Sequence, residues 1–401
     1  MESEKITTFV KGIIPRDSLQ AIFLVGGVVR DLLLGKAVCD IDLLAALPES
    51  KLTAVGFRLV EGKSTAPIMF RHDPEFGKIE VTLIPGLASL PEDLANRDFT
   101  CNAIAMSLDG ELFDPLGGRG DLLRRELRAC SKRSFITDPL RIFRALRFEA
   151  DDWRMTPETE EQIREGLLEA QLQAIPVERF TREMQKGLAG MYPERFFQRM
   201  QELGTGITFL PEIFRMPHIP AGPPEHHPEG DLFTHSCQVL ERAAIMTSDP
   251  LARFCAFFHD LGKLSTNPGL YPQHHGHDES GFAMAQPFSD RLKLPTLWKR
   301  SLAWINRLHG NANRWDELRD SSKIRMAEQA IKNGIAEMLP IIAAADKPAG
   351  SGMRGWEKAL EVAAMSTEQL GIPQLQIETM PTEHRAALIL QKRVESFRKR
   401  A

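Results

Sequence analysis

Residues 23–44 read FLVGGVVRDLLLGKAVCDIDLL, and this stretch decides the fold of the N-terminal part. The apolar run through Val25 predicts a strand, Gly26-Gly27 a tight turn, and DLLLG (31–35) a helix with Arg30 at its start. Without Cβ atoms, the two glycines let backbone N–H groups approach a phosphate closely. Arg30 stands where a guanidinium can hold a triphosphate oxygen. Asp40 and Asp42 are two apart on a second predicted strand, so both carboxylates point to one face. Two such charges repel unless a cation lies between them, and Mg²⁺ with its oxygen ligands suits them. Two ions about 3.5–4 Å apart would activate an attacking hydroxyl and steady a leaving pyrophosphate. Glu80, in the strand-like KIEVTLI (78–84), can add a third carboxylate from a neighbouring strand.

Around this stretch lie 401 residues with 50 Lys+Arg against 54 Asp+Glu and 43% hydrophobic content, which suits two to three domains with real cores. Disorder is excluded. No apolar run approaches the roughly 18–20 residues of a membrane span, and MESEKITTFVKG carries no signal-peptide core. Cysteines 39, 101, 130, 237 and 255 form no CxxC pair, which predicts a reducing compartment. The expectation is a soluble cytoplasmic protein with no membrane partner. With a net charge of −4, contacts to nucleic acid must come from local basic patches such as 124–133 and 391–400. The fold class read from the pattern is α+β: a head over 1–135 with a mixed or antiparallel sheet and helices, then an all-α remainder. Within that remainder we expect a helical neck over 136–210 and, from the six prolines of 211–230, a linker. A helical domain over 231–350 and a helical tail over 351–401 follow.

GGVVRDLLLG followed by DID resembles the active-site signature of class II tRNA nucleotidyltransferases, the CCA-adding enzymes, and of bacterial poly(A) polymerases. RDFTCNA (97–103), DPLGGRGDL (114–122), DPLRIFRALRF (138–148) and ERFTREMQK (178–186) resemble further motifs of that family, in its order. The resemblance implies template-free addition of nucleotides to a tRNA 3′ end from CTP, and from ATP where the full CCA is added; it implies no stable protein partner. It implies Asp40 and Asp42 as catalytic metal ligands. Gly26, Gly27, Arg30, Arg97, Asp98, Asn102, Asp138, Arg141, Arg144 and Arg147 are implied at the nucleotide. Asp138 and Arg141, three apart on a predicted helix, would share a face. A carboxylate accepts and a guanidinium donates, so the pair matches the pairing edges of C and A and rejects U and G.

The chain departs from the family pattern at Cys39, Asn96 and Thr137, where Lys, Arg and Glu are usual. Only 16 residues, VTLIPGLASLPEDLAN, separate Glu80 from Arg97. Full CCA-adding relatives carry a longer flexible segment there, which helps reshape the pocket from C to A; members that add only two cytidines lack it. The expectation is therefore CC addition, with full CCA addition as the alternative.

His235, His259-Asp260 within FFHDLGK, and Asp346 resemble the ligands of an HD-superfamily phosphohydrolase. Imidazole and carboxylate suit Ni, Mn, Fe, Zn or Mg. His277 within HHGHD (274–278) and His309 could hold a second ion, although Gly310 stands where relatives often have Asp. A metal-dependent phosphohydrolase is thus a second or alternative activity. A bacterial poly(A) polymerase shares the head motifs, but His259-Asp260 favours tRNA maturation.

Overall fold

The computed structural model describes residues 2–38, 40–60, 66–169, 172–348, 350 and 352–399. Cys39, noted above, lies outside them. The chain divides into two units, Met1–Leu172 and Gln173–Ala401.

The first unit is built on a seven-stranded sheet of order β3-β4-β5-β2-β1-β6-β7. The strands are β1 Ile22–Val25, β2 Ile41–Ala45, β3 Arg58–Leu59, β4 Ile68–Asp73, β5 Gly77–Leu83, β6 Ala105–Ser107 and β7 Leu112–Phe113. β2 runs parallel to β5 and antiparallel to β1, so the sheet is mixed, as expected. Strand alternation divides the two faces. Ile41, Leu43, Ala45, Ile79 and Val81 point to one side, where Ile6 and Val10 of the helix Glu2–Ile13 cover them. Leu44, Val25 and Ala105 point to the other, against Leu90 and Leu94 of the helix Leu90–Ala95. Asp42 and Glu80 share that second face. Gly26, at φ +72°, begins the helix Gly27–Leu33, a backbone conformation glycine adopts without strain.

The neck does not form a unit of its own. Residues 136–172 fold with the sheet, while 173–210 belong to the second unit. The stretch 211–230 also differs from the expected linker: it opens with the helix Pro211–Arg215, and Pro220 bridges to Asp231. Its prolines and glycines make an irregular path whose carbonyls are used. Pro220 O accepts from His274 Nε2 at 2.8 Å, and Ala221 O accepts from Lys263 at 2.6 Å. The tail is not separate either, since Arg393 pairs with Glu328 and Arg398 with Asp320, which turns part of the basic patch back onto the helix Asp320–Asn333.

The second unit is helical around a cluster of fully buried phenylalanines, Phe196, Phe197, Phe254, Phe257 and Phe258. Asp231 and Asp249 cap the helices Leu232–Met246 and Pro250–Phe257 with their side chains. The turn Leu261–Ser265 presses onto the helix His277–Arg291 through Gly262, where a Cβ would lie 2.0 Å from His277 O and 2.5 Å from Gly281 N. A Cβ at Gly281 would likewise lie 2.3 Å from Asn306 Oδ1 of the helix Thr296–Ala312. Three segments that carry histidines are thereby drawn together. Gly262→Ala should cost about 3 kcal/mol, the upper end for overpacking, read by calorimetry as a lower unfolding temperature; an unchanged transition would show that the segments are not held this closely.

Candidate active site and metal centre

In the head, β2 and β5 are in register, with Asp42 opposite Glu80. Asp40 stands in the bend just before β2, exposed, two residues from Asp42 across the buried Ile41. A Cβ at Gly26 would lie 2.8 Å from Arg97 Nη1 and 3.5 Å from Asp42 Oδ2, so glycine turn, guanidinium and carboxylate converge. Burial raises the Asp42 carboxyl above its usual value, and the charges of Glu80 and Asp40 add to it against Arg97 and Lys78. Three carboxylates thus face too little positive charge, and a hard divalent cation fits them. Lys78, two residues from Glu80 on the same strand face, pairs with it.

Behind this cluster runs a chain of hydrogen bonds. Arg30 Nη1 donates to Asn102 Oδ1 at 2.9 Å, and Asn102 Nδ2 donates to Asp98 Oδ1 at 3.0 Å. Arg144 donates to Asp98 Oδ2 through Nε at 2.8 Å and Nη2 at 2.6 Å. Asp98 is buried, and despite the burial penalty Arg144, Asn102 and the Phe99 N–H hold its carboxyl well below the usual range. Arg30 and Arg147 also lie over the Phe148 ring, at 5.2 and 4.5 Å from its centroid.

Asp138 does not share a helical face with Arg141. It is extended (φ −140°, ψ 94°) ahead of the helix Leu140–Glu149, because the following Pro139 disfavours the helical region for it. Its Oδ1 accepts from Leu140 N at 3.2 Å. Arg141 reaches back to Asn96 O at 2.5 Å and to Ser134 Oγ at 2.9 Å.

In the second unit, four histidines aim Nε2 into one pocket. Their Nδ1 atoms are all engaged: His235 with Glu229 at 2.7 Å, His259 with Ala256 O at 2.9 Å, His277 with His274 O at 2.7 Å and His309 with Asn306 O at 3.0 Å. An Nδ1–H donated outward leaves Nε2 as a lone pair pointing inward, the arrangement of metal-binding imidazoles. Asp346 Oδ1 lies 3.1 Å from His235 Nε2 and 3.6 Å from His259 Nε2, and Asp260 Oδ2 lies 3.1 Å from His259 Nε2. His235 Nε2, His259 Nε2 and Asp260 Oδ1 are buried without a hydrogen-bond partner among the described residues. Burial opposes a charged imidazole, yet Asp260 and Asp346 raise His259 to about 10. The site draws in positive charge, and a divalent ion on these N and O donors would supply it.

Three family profiles match: "Poly A polymerase head domain" over residues 66–128, "Probable RNA and SrmB- binding site of polymerase A" over 152–216, and "HD domain" over 232–347. A Multifunctional CCA protein of Methylococcus capsulatus is 36% identical over 357 residues, covering 84% of this chain and 83% of its own. That of Nitrosococcus oceani is 35% identical over 320 residues, 76% of this chain and 78% of its own. The chain belongs to the family of multifunctional CCA proteins. Its fold is that of the CCA-adding enzymes: the Bacillus stearothermophilus enzyme solved with CTP superposes with a TM-score of 0.64 at 23% identity, over 92% of this chain and 87% of that one. The Thermotoga maritima enzyme solved with tRNA gives 0.63 at 20%, over 94% and 87%.

In this member of the CCA family the sequence reading brought Gly26, Gly27, Arg97, Asp40, Asp42 and Glu80 into one region, and His235, His259, Asp260, Asp346, His277 and His309 into another. Asp98 and Asn102, expected at the nucleotide, are buried and hydrogen-bonded to Arg144 and Arg30. The sequence reading missed Glu229, read as part of a linker, although HPEG lies six residues ahead of His235. It also missed Lys263, whose Nζ is 2.6 Å from Asp260 Oδ2 and which sits at the helical i+3 position in HDLGK. Asp98→Asn should destabilise the head by about 1.5–3 kcal/mol near neutral pH, the worth of hydrogen bonds to a charged group. A depressed carboxyl contributes stability above its unfolded pKa of about 4 and loses it as pH falls toward the folded value. The gap between wild type and variant in urea unfolding should therefore narrow below about pH 4; a gap that stays constant with pH would show that Asp98 is not held ionised.

Proposed function

We propose that the protein is a tRNA 3′-end nucleotidyltransferase that adds two cytidines from CTP. The observation that carries it is Asp42 in register with Glu80 beneath the Gly26 turn and Arg97. Asp40 and Asp42 would hold Mg²⁺, which when bound favours the ionised 3′-hydroxyl and neutralises the leaving pyrophosphate. Gly26 and Gly27 present backbone N–H groups to the triphosphate, and Arg97 lies beside them. Arg30 and Arg144 are pre-oriented by Asn102 and Asp98, so little conformational entropy is left to lose on binding. Asp138 carries acceptors and Arg141 donors of the kind a cytosine edge needs, and for Arg141 to meet a base it must first leave Asn96 O and Ser134 Oγ.

Restriction to cytidine is supported by the interval between Glu80 and Arg97. It contains a short 3₁₀ turn, Leu87–Ser89, and the helix Leu90–Ala95, with Leu90 and Leu94 buried in the sheet's second core. Asn96 at its end accepts from Arg141. A helix packed into the core and hydrogen-bonded at its end to Arg141 is poorly suited to swing as a lever between two pocket shapes. The relatives are named for CCA as a whole, so the adenosine step is the point at issue.

A second reading is favoured by the inward-facing histidines: the HD unit is a metal-dependent phosphohydrolase, with His235, His259, Asp260 and Asp346 holding the ion.

Asp42→Ala should lower CTP incorporation into tRNA lacking CCA by at least a thousandfold while the fold, read by circular dichroism, persists; incorporation within tenfold of wild type would overturn the head assignment. With tRNA ending in CC and ATP alone, no extension is expected, and efficient single-A addition would restore the full CCA reading. His259→Ala should abolish metal-dependent hydrolysis of a phosphoester such as p-nitrophenyl phosphate and leave CTP incorporation within twofold. Loss of both activities in a folded variant would contradict two separate sites.

A further inference from the structure

We propose that the Ser134 hydroxyl and the Asn96 carbonyl stand in for the acceptors of a base, holding Arg141 at rest until a base edge replaces them. Ser134 is then a positioning residue that sets the affinity for nucleotide. This rests on the nucleotidyltransferase reading of the head.

The arginines of the head site are held in two ways. Arg30 pairs with Asp31, Arg97 with Asp93 and Arg144 with Asp98. Arg141 meets no carboxylate among the described residues. Its Nη2 donates to Asn96 O at 2.5 Å, and its Nη1 donates to Ser134 Oγ at 2.9 Å and Ser134 O at 3.2 Å. A carboxylate brings a full opposite charge to such a bond, whereas a carbonyl or hydroxyl oxygen brings only a dipole. Arg141 is thus held by contacts that a ligand of the same polarity can replace.

Ser134 is built into this arrangement. It is 0% exposed, so water does not take the place of its hydroxyl. Its Oγ donates to Asp98 O at 3.2 Å, which leaves a lone pair for Arg141. Asn96 O is presented at the end of the helix Leu90–Ala95, anchored by the buried Leu90 and Leu94. The two Nη atoms of the guanidinium therefore each meet an acceptor, and cytosine offers two adjacent acceptors, O2 and N3, on its pairing edge.

Leaving the resting contacts costs every nucleotide the same. Cytosine returns two acceptors, whereas uracil has an N–H at N3 and returns one at a time. CTP then binds mainly with Arg141 on the base, and UTP mainly through its triphosphate with Arg141 at rest. Apparent affinity is reduced by the fraction of the protein that is competent, so a weaker resting state raises it.

The test is Ser134→Ala in the full chain, with Mg²⁺ and tRNA lacking CCA. Loss of one hydrogen bond from the resting state should lower KM for CTP about three- to tenfold while kcat stays within about twofold. Calorimetric titration with CTP alone should show the same gain in Kd. With UTP the same factor should appear in kcat for misincorporation and not in KM, because the productive complex is the minor one. A purely structural role for Ser134 predicts a lower kcat for CTP instead. Ser134→Cys, whose sulfur is a weak acceptor, should shift KM in the same direction and decides the matter if the alanine variant does not fold. An unchanged or raised KM for CTP in a folded variant would overturn the proposal and leave the head assignment standing. Absence of CTP incorporation by the unaltered chain would overturn both.

Discussion

The Asp98 carboxylate, withdrawn from water and met on both oxygens by donors, organises the head around itself. A charge in that position costs several kcal/mol unless it is paired and hydrogen-bonded. The chain meets the demand with Arg144 from the helix Leu140–Glu149 and Asn102 from the turn Thr100–Asn102. Asn102 in turn orients Arg30 from the helix Gly27–Leu33. Three separate elements thus share one electrostatic anchor. The HD unit obeys the same rule with other partners. Asp260 and Asp346 are held ionised despite burial, by Lys263 and His259 for the first and by His259 and His235 for the second.

The two sites differ in how they use an excess of negative charge. In the head Asp42 and Glu80 lie on the central strands β2 and β5, and Asp40 is exposed in the bend before β2. In the HD unit the donors are enclosed, and each imidazole is fixed from behind by an acceptor on its Nδ1. Enclosure orients a small set of lone pairs and favours an ion that stays. Exposure favours ions that arrive with a triphosphate.

Much of this was legible in the sequence. The apolar run and the glycine pair of 23–44 follow from local geometry, and the mixed sheet and helical remainder came with them; of the two aspartates expected on one strand only Asp42 lies in β2, while Asp40 stands in the bend before it. The misreadings have identifiable causes. Asp138 and Arg141 are at helical spacing, but Pro139 stops the helix from including Asp138. Prolines in 211–230 look like a connector, yet an irregular path leaves carbonyls free to orient His274 and Lys263, and Glu229 to orient His235. Nothing local in the motif of Asp98 and Asn102 told that both would be buried and hydrogen-bonded to arginines, since that depends on Arg144 and Arg30 from distant parts of the chain. At Gly310 nothing local reveals that the carboxylate of Asp278, 32 positions earlier, lies where a side chain would grow.

That last contact has a mechanical meaning. A Cβ at Gly310 would lie 2.8 Å from Asp278 Oδ2, so the helix Thr296–Ala312 meets the helix His277–Arg291 at a point where one of them carries no side chain. His277 and His309, each one residue from this contact, bring their Nε2 atoms to 3.3 Å across it. A residue with no side chain thus sets how near two imidazoles can come, and the spacing of the donors is written into the chain as an absence.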